Sequence, residues 1–220
     1  LPHSDDRVLS LHEDHEGNLW MGTGRSGLWR WQPRKLKTYT TREGLPDENA
    51  WVVCEAPDGA VWMGTDGGVS RLHENRLETW TTEHGLARDY IRAVAVAADG
   101  TVWIGTSSGL NSWRDGQLKH HPFPGEWFEG KIRALLPARD GALWVAAATG
   151  LNLLHGEQRT QFTITNGLAH NDVRALLEDR EGRLWIGTYG AGLQSYYDGQ
   201  FKTYSRSEEH TSELQSRQVI

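Results

Sequence analysis

The chain has 220 residues with 29 acidic and 23 basic side chains, a formal net charge of −6 and a pI near 5.9. Phosphate recognition needs a basic stripe, so this balance speaks against a nucleic-acid partner. No apolar run of about 18 residues is present to span a membrane as a helix, and Cys54, the single cysteine, supports neither a disulfide framework nor a zinc cluster.

The excesses lie in Trp, with 11, and Gly, with 25, a pairing that asks for a repeat search. A Gly stands three residues before a Trp at Gly17/Trp20, Gly59/Trp62, Gly100/Trp103, Gly141/Trp144 and Gly182/Trp185, so the Trp spacings are 42, 41, 41 and 41. Each unit divides into four short runs bounded by Gly, Asp, Asn and Glu, which predicts four strands joined by tight turns. Four strands in about 40 residues is the period of a β-propeller blade. The expected fold is therefore all-β, five consecutive blades over residues 1–205.

The chain begins Leu1-Pro2-His3-Ser4 with no Met and no signal peptide, which leaves room for a signal or anchor upstream. The first unit, about residues 8–47, has its opening strand at 8–11 with the small Ser10, its second strand at the word LWMGT, and an aromatic–Thr fourth strand at Lys37-Thr38-Tyr39-Thr40. The turn between Gly22 and Gly27 is one residue longer than its counterpart, which accounts for the odd spacing. Arg25 on that turn could clamp a carboxylate or sulfate; the bland alternative is a solvated loop Arg. Trp29 replaces a polar residue of the later units. The second unit, 48–88, follows a Gly44-Leu45-Pro46 linker and holds Trp51, a hairpin turn at Asp58-Gly59, the word VWMGT and Glu78-Thr79-Trp80-Thr81.

The third unit, 89–129, opens on Asp89-Tyr90-Ile91-Arg92, runs through Asp99-Gly100 and VWIGT, and ends in an off-pattern linker carrying Trp127 and Phe128. These two aromatics could stack on a sugar ring or cap a blade edge. The fourth, 130–170, places Arg133 where the third has Arg92, and substitutes Ala146-Ala147-Ala148 for the usual Gly-Thr. The fifth, 171–205, brings Asn171, Arg174, LWIGT and Tyr189. Asp89 and Asn171 could bind ligand hydroxyls or satisfy their own turns. Arg92, Arg133 and Arg174 share one register near the start of the innermost strand, where Trp51 stands in the second unit. They could line a central anion site or pair with acids of the adjacent blade. From Arg206 the pattern breaks. Residues 206–220 resemble the translation of a sequencing-library adapter and are read as non-native.

Packing logic supports blades. Alternation puts Trp103 and Gly105 on one face of the second strand and Val102, Ile104 and Thr106 on the other. Both faces are apolar or small, as a sheet between two others requires. Trp20, Trp62, Trp103, Trp144 and Trp185 are accordingly assigned to inter-blade packing and not to a ligand. Small residues at Ser10, Ala93, Ala134 and Ala175 suit the crowded inner strand.

The word Asp179-Arg180-Glu181-Gly182-Arg183-Leu184-Trp185-Ile186-Gly187-Thr188 and the linkers at Gly44-Leu45-Pro46, Gly85-Leu86-Ala87 and Gly167-Leu168-Ala169 resemble the two-component regulator propeller repeat. The resemblance covers Val8 to Ser205. It implies an extracytoplasmic, periplasmic sensor region of a membrane-bound, homodimeric receptor, ahead of a histidine kinase or diguanylate cyclase output domain. It further implies a small-molecule or oligosaccharide ligand, and rings of seven blades, so that five form an incomplete ring. No cofactor or metal site is expected: His120 and His121 are adjacent and face opposite ways in a strand, the Asp-Gly turns lack the acid density of a calcium loop, and no nucleophile elbow or phosphate loop is present. Two other function classes stay open, a propeller lyase resembling streptogramin lyase and a protein-interaction scaffold.

Overall fold

Twenty strands form five separate antiparallel sheets of four in a computed structural model that describes residues 6–32, 35–122 and 131–204. The first blade comprises β1 (Val8–Glu13), β2 (Leu19–Thr23), β3 (Leu28–Gln32) and β4 (Lys35–Tyr39). The second holds β5 (Ala50–Glu55), β6 (Val61–Thr65), β7 (Val69–His73) and β8 (Arg76–Trp80). The third has β9 (Ile91–Val96), β10 (Val102–Thr106), β11 (Leu110–Arg114) and β12 (Gln117–His121). Next come β13 (Ile132–Pro137), β14 (Leu143–Ala147), β15 (Gly150–His155) and β16 (Gln158–Phe162). The last blade is β17 (Val173–Glu178), β18 (Leu184–Thr188), β19 (Gly192–Tyr197) and β20 (Gln200–Tyr204). In every sheet the strands pair in chain order. The first strands of successive blades, β1, β5, β9, β13 and β17, are neighbours in space and surround the axis. The second blade's inner strand begins at Ala50, two residues before the apolar run suggests.

Each blade packs on the next through its own apolar core. Trp62 and Val69 of the second blade meet Ile91, Val94, Val102 and Ile104 of the third. Trp20, Leu28 and Tyr39 meet Val53, Val61 and Met63. Leu110 and Trp103 meet Ile132, Leu143 and Val145, and Trp144 and Leu151 meet Val173, Leu184 and Ile186. At these four interfaces the register Trp thus faces the following blade, while the alternate residues of the same strand face the preceding one. The Gly two residues on is required by that contact. A Cβ on Gly64 would sit 2.6 Å from Ile91, and one on Gly105 would sit 2.5 Å from Ile132.

The linker words are short capped turns. Thr40, Thr81 and Thr163 each cap a single 3-10 turn through their hydroxyls, and Gly44, Gly85 and Gly167 end it in the left-handed region. The Leu that follows, Leu45, Leu86 or Leu168, is buried in the core between two blades. The Asp-Gly sites between first and second strands are three-residue loops. Ala56 N–H pairs with Ala60 C=O, Gly59 alone takes positive φ, and the Asp58 carboxylate accepts the Ala60 N–H. Two-residue turns with both φ positive occur instead between third and fourth strands, at Glu74-Asn75, Asp115-Gly116 and Asp198-Gly199.

The ring of described residues is open. Leu28, Val69, Leu110 and Leu151 are 0% exposed at the four interfaces, yet Leu193 in the same register of the last blade is 42% exposed. At the other end, Leu11 is 62% exposed where Val53 of the second blade is 7%. Both outward faces display the residues that the inner interfaces bury. Residues 206–220 lie outside the described residues.

Candidate functional site

The innermost strand slips register once in every blade, at the same place. Val8 pairs with Thr23 but Ser10 pairs with Gly22, so Leu9 is an extra residue. Trp51, Arg92, Arg133 and Arg174 are the extra residues of β5, β9, β13 and β17. A bulge of this kind leaves one residue without a cross-strand partner and re-aims its side chain. The five bulged residues line a single cavity of about 290 Å³ on the axis, drawing one side chain from each blade. The scaffold repeats around this cavity and the axial residue does not. That is the pattern expected where a repeated frame carries a variable site.

The arginines are held in two ways. Arg133 and Arg174 share one carboxylate. Arg174 donates to Asp172 through Nε at 2.9 Å and Nη2 at 2.8 Å, a two-pronged contact. Arg133 Nε lies 2.8 Å from Asp172 but is not aimed along a hydrogen bond, and its Nη2 reaches only 3.5 Å. Asp172 is 17% exposed. Arg92 has no acidic partner among the described residues. Its guanidinium lies over Trp51, 3.5 Å from the ring centroid, and its Nε donates to Tyr90 Oη at 2.6 Å. Trp51 is fixed in turn by donating its Nε1–H to Asp66, which also accepts from Asn49. Lys131 at the rim lies 4.7 Å from the Tyr90 ring.

The other sequence candidates fall in different places. Tyr189 is exposed on the β18–β19 turn beneath the Arg174 guanidinium, which extends the axial cluster outward. Asp89 accepts from Thr82 N–H and Oγ1, and Asn171 from Ile164 N–H. Both place these acceptors on the linker turn. Arg25 is exposed on the β2–β3 turn and is not brought into the axial cluster. Trp127 and Phe128 lie outside the described residues. His120 and His121 face opposite ways: His121 bonds Ser112 beside Trp103, while the His120 ring lies where a side chain on Gly109 would stand. Among the described residues no group of three or more His, Cys, Asp or Glu is arranged to hold a metal ion. Sequence reading overlooked Leu9, Lys131 and Asp172. Leu9 stands eleven residues before Trp20, as Trp51, Arg92, Arg133 and Arg174 stand before their own Trp, so the spacing carried the signal.

A larger cleft of about 480 Å³ opens between the first two blades on the opposite face. Its acids Asp14, Glu16, Glu55 and Asp58 are occupied internally. Asp14 accepts from Trp20 Nε1 at 2.7 Å and from Asn18, and Glu55 holds His15. Burial raises the Asp14 carboxyl, but these hydrogen bonds outweigh it and hold the group below the usual range. Tyr39 Oη and Arg30 Nε are left without partners there. The axial cavity remains the better candidate, because it draws one side chain from each of the five blades and the cleft involves two only.

Comparison with known proteins places these features. The family model described as "Two component regulator propeller" matches residues 2–25, 44–67, 85–108 and 167–190. Each match ends just past the second strand, and the unit with Ala146-Ala147-Ala148 is the one not matched. No curated protein sequence matches the chain. Among solved structures, it is similar to the extracellular domain of a hybrid two component system from B. thetaiotaomicron, with TM-score 0.79, 25% identity, and coverage of 92% of this chain and 29% of that one. It is also similar to virginiamycin B lyase from Staphylococcus aureus, with TM-score 0.78, 16% identity, and coverage of 93% and 71%. A third is PorZ, a surface component of the type-IX secretion system of Porphyromonas gingivalis, with TM-score 0.68, 21% identity, and coverage of 94% and 33%. At their identities the last two likenesses speak to fold alone. The chain spans under a third of the length of the first structure.

Proposed function

Because the chain belongs to the two component regulator propeller family, we propose that it is the ligand-sensing part of a membrane-bound signal-transduction receptor. In this reading the blades lie outside the cytoplasmic membrane, and a histidine kinase or diguanylate cyclase forms the output. Among the described residues no helix is long and apolar enough to cross a membrane. The segment binds and does not catalyse. A small molecule or oligosaccharide enters at the axial mouth and biases how two receptor chains sit together, by favouring one of two arrangements.

The observation that carries the reading is the convergence of five register-equivalent side chains, Leu9, Trp51, Arg92, Arg133 and Arg174, on one cavity. A frame that repeats while its axial residues differ is suited to binding a particular ligand. The test is a thermal-shift screen of the purified chain against neutral and acidic mono- and oligosaccharides. We expect at least one to raise the melting temperature saturably, as mass action requires of a ligand of the folded state. Failure of the whole panel, with a protein partner recovered on the same face, would favour an interaction scaffold. Turnover of a cyclic depsipeptide lactone with an added divalent cation would replace the sensor reading with a lyase.

A further inference from the structure

We infer that the axial cavity recognises an oxyanion, a carboxylate or sulfate carried on a ring-sized ligand. The inference rests on the sensor reading for the ligand's role, but on the cavity's own charges for its chemistry. Three consecutive bulges direct three guanidinium groups at one space, and among the described residues the single acid in contact with them, Asp172, is divided between two. Arg92 is left with aromatic partners only. Aromatic faces orient a guanidinium without neutralising it, so its charge remains available to a ligand.

Like charges gathered in a half-buried space oppose folding unless something compensates them. The fold does not require arginine at this position, because Leu9 takes the same bulge in the first blade. The arginines are therefore a choice that the scaffold does not dictate, made in a chain whose net charge is −6. Departures from local consistency of this kind concentrate at functional sites. A guanidinium fork matches the planar, paired oxygens of a carboxylate or sulfate. The volume of about 290 Å³ lies at the lower bound of ordinary ligand pockets, which suits one ring and not a chain of them.

The test is calorimetric titration of the full chain with glucuronate, glucose 6-sulfate and glucose, at low and high salt. Both anions should bind at low salt at least about tenfold more tightly than glucose, as loss of one charge-assisted hydrogen bond implies. Their affinity should fall at high salt. The ratio of glucuronate to glucose 6-sulfate affinity then identifies which oxyanion the site prefers. Arg92→Gln and Arg174→Gln should each weaken anion binding about tenfold. Asp172→Asn should tighten it by removing the competing carboxylate. Thermal melts of each variant establish that it is folded, and the salt dependence of the unaltered chain stands even if one is not. Equal binding of glucose, or anion binding unchanged in the Gln variants, overturns the oxyanion site and leaves the sensor reading in place. Absence of any anion binding at low salt also overturns it. If the wider saccharide panel fails too, the sensor reading falls as well.

Discussion

His15 ties the first blade to the second. Its ring Nδ1 meets the Glu55 carboxylate, and its backbone N–H donates to the same group at 3.0 Å. The hydrogen bond to Glu55, and then the charge of Glu55, raise His15 above its ordinary value of 6.5. A raised pKa in the folded state adds stability that is whole below the unfolded value and fades as pH climbs through the folded one. His121 has the opposite sign. Burial, helped by Lys119, His120 and Arg159, lowers it, so its contribution is present above 6.5 and is lost as pH falls through the lowered folded value. Urea midpoints measured across roughly pH 5 to 9 should separate the two. His15→Gln should lose stability relative to the parent chain below about pH 6.5 and converge with it at higher pH. A gap that widens with rising pH would show that the Glu55 contact does not favour the protonated ring. Cys54 is a bystander in this range, since burial pushes its thiol up to about 12.

The outer hairpins show what one residue contributes to an element. Glu74 stands at φ +47, where Asp115 and Asp198 stand in the third and fifth blades. Left-handed backbone suits Asp, whose short side chain can bond locally, better than Glu. Glu74→Asp should therefore raise the unfolding free energy by roughly 0.5 kcal/mol, read from the urea midpoint at constant slope. A loss of stability would mean that the Glu74 side chain contributes something beyond its turn. The same elements explain what the sequence could and could not reveal. Strand identity was readable because Gly, Trp and Gly-Leu recur at fixed offsets, and each offset answers to a packing need such as Gly105 against Ile132. The two uses weighed for Asp89 and Asn171 are indistinguishable in sequence, because one carboxylate or amide serves either. The bulges were invisible. A register slip belongs to a pair of strands, and nothing in one strand's residues marks it. Asp172 was missed because no other blade repeats it in contact with an arginine.

The open ring makes the blades unequal although their sequences are alike. Trp62 is 0% exposed between the second and third blades and packs against Trp80 and Trp113. Trp185 occupies the same register in the last blade, where the forward face has no further blade among the described residues. The atoms nearest a Cβ on Gly187 beside it would be those of Ala175 in its own sheet, whereas Gly64 and Gly105 press on the next one. Trp185 is nonetheless held by Asp179, which accepts its Nε1–H at 2.8 Å. That hydrogen bond, with those from the turn backbone, keeps the Asp179 carboxyl below its ordinary range. Truncating a buried Trp removes its transfer energy and leaves a cavity, so Trp62→Ala should cost roughly 3–5 kcal/mol. Trp185→Ala leaves no enclosed cavity and should cost less than about 2 kcal/mol. Chemical denaturation of the two variants reads the difference directly. Equal costs would show that the last blade's face is covered in solution. A second copy of the chain could supply that cover by setting its exposed first blade against the last one. The melting temperature would then rise with protein concentration, as mass action requires of any folded state stabilised by association. A concentration-independent melt with unequal costs would instead confirm that the forward faces of blades one to four, and not that of blade five, derive their stability from a neighbour.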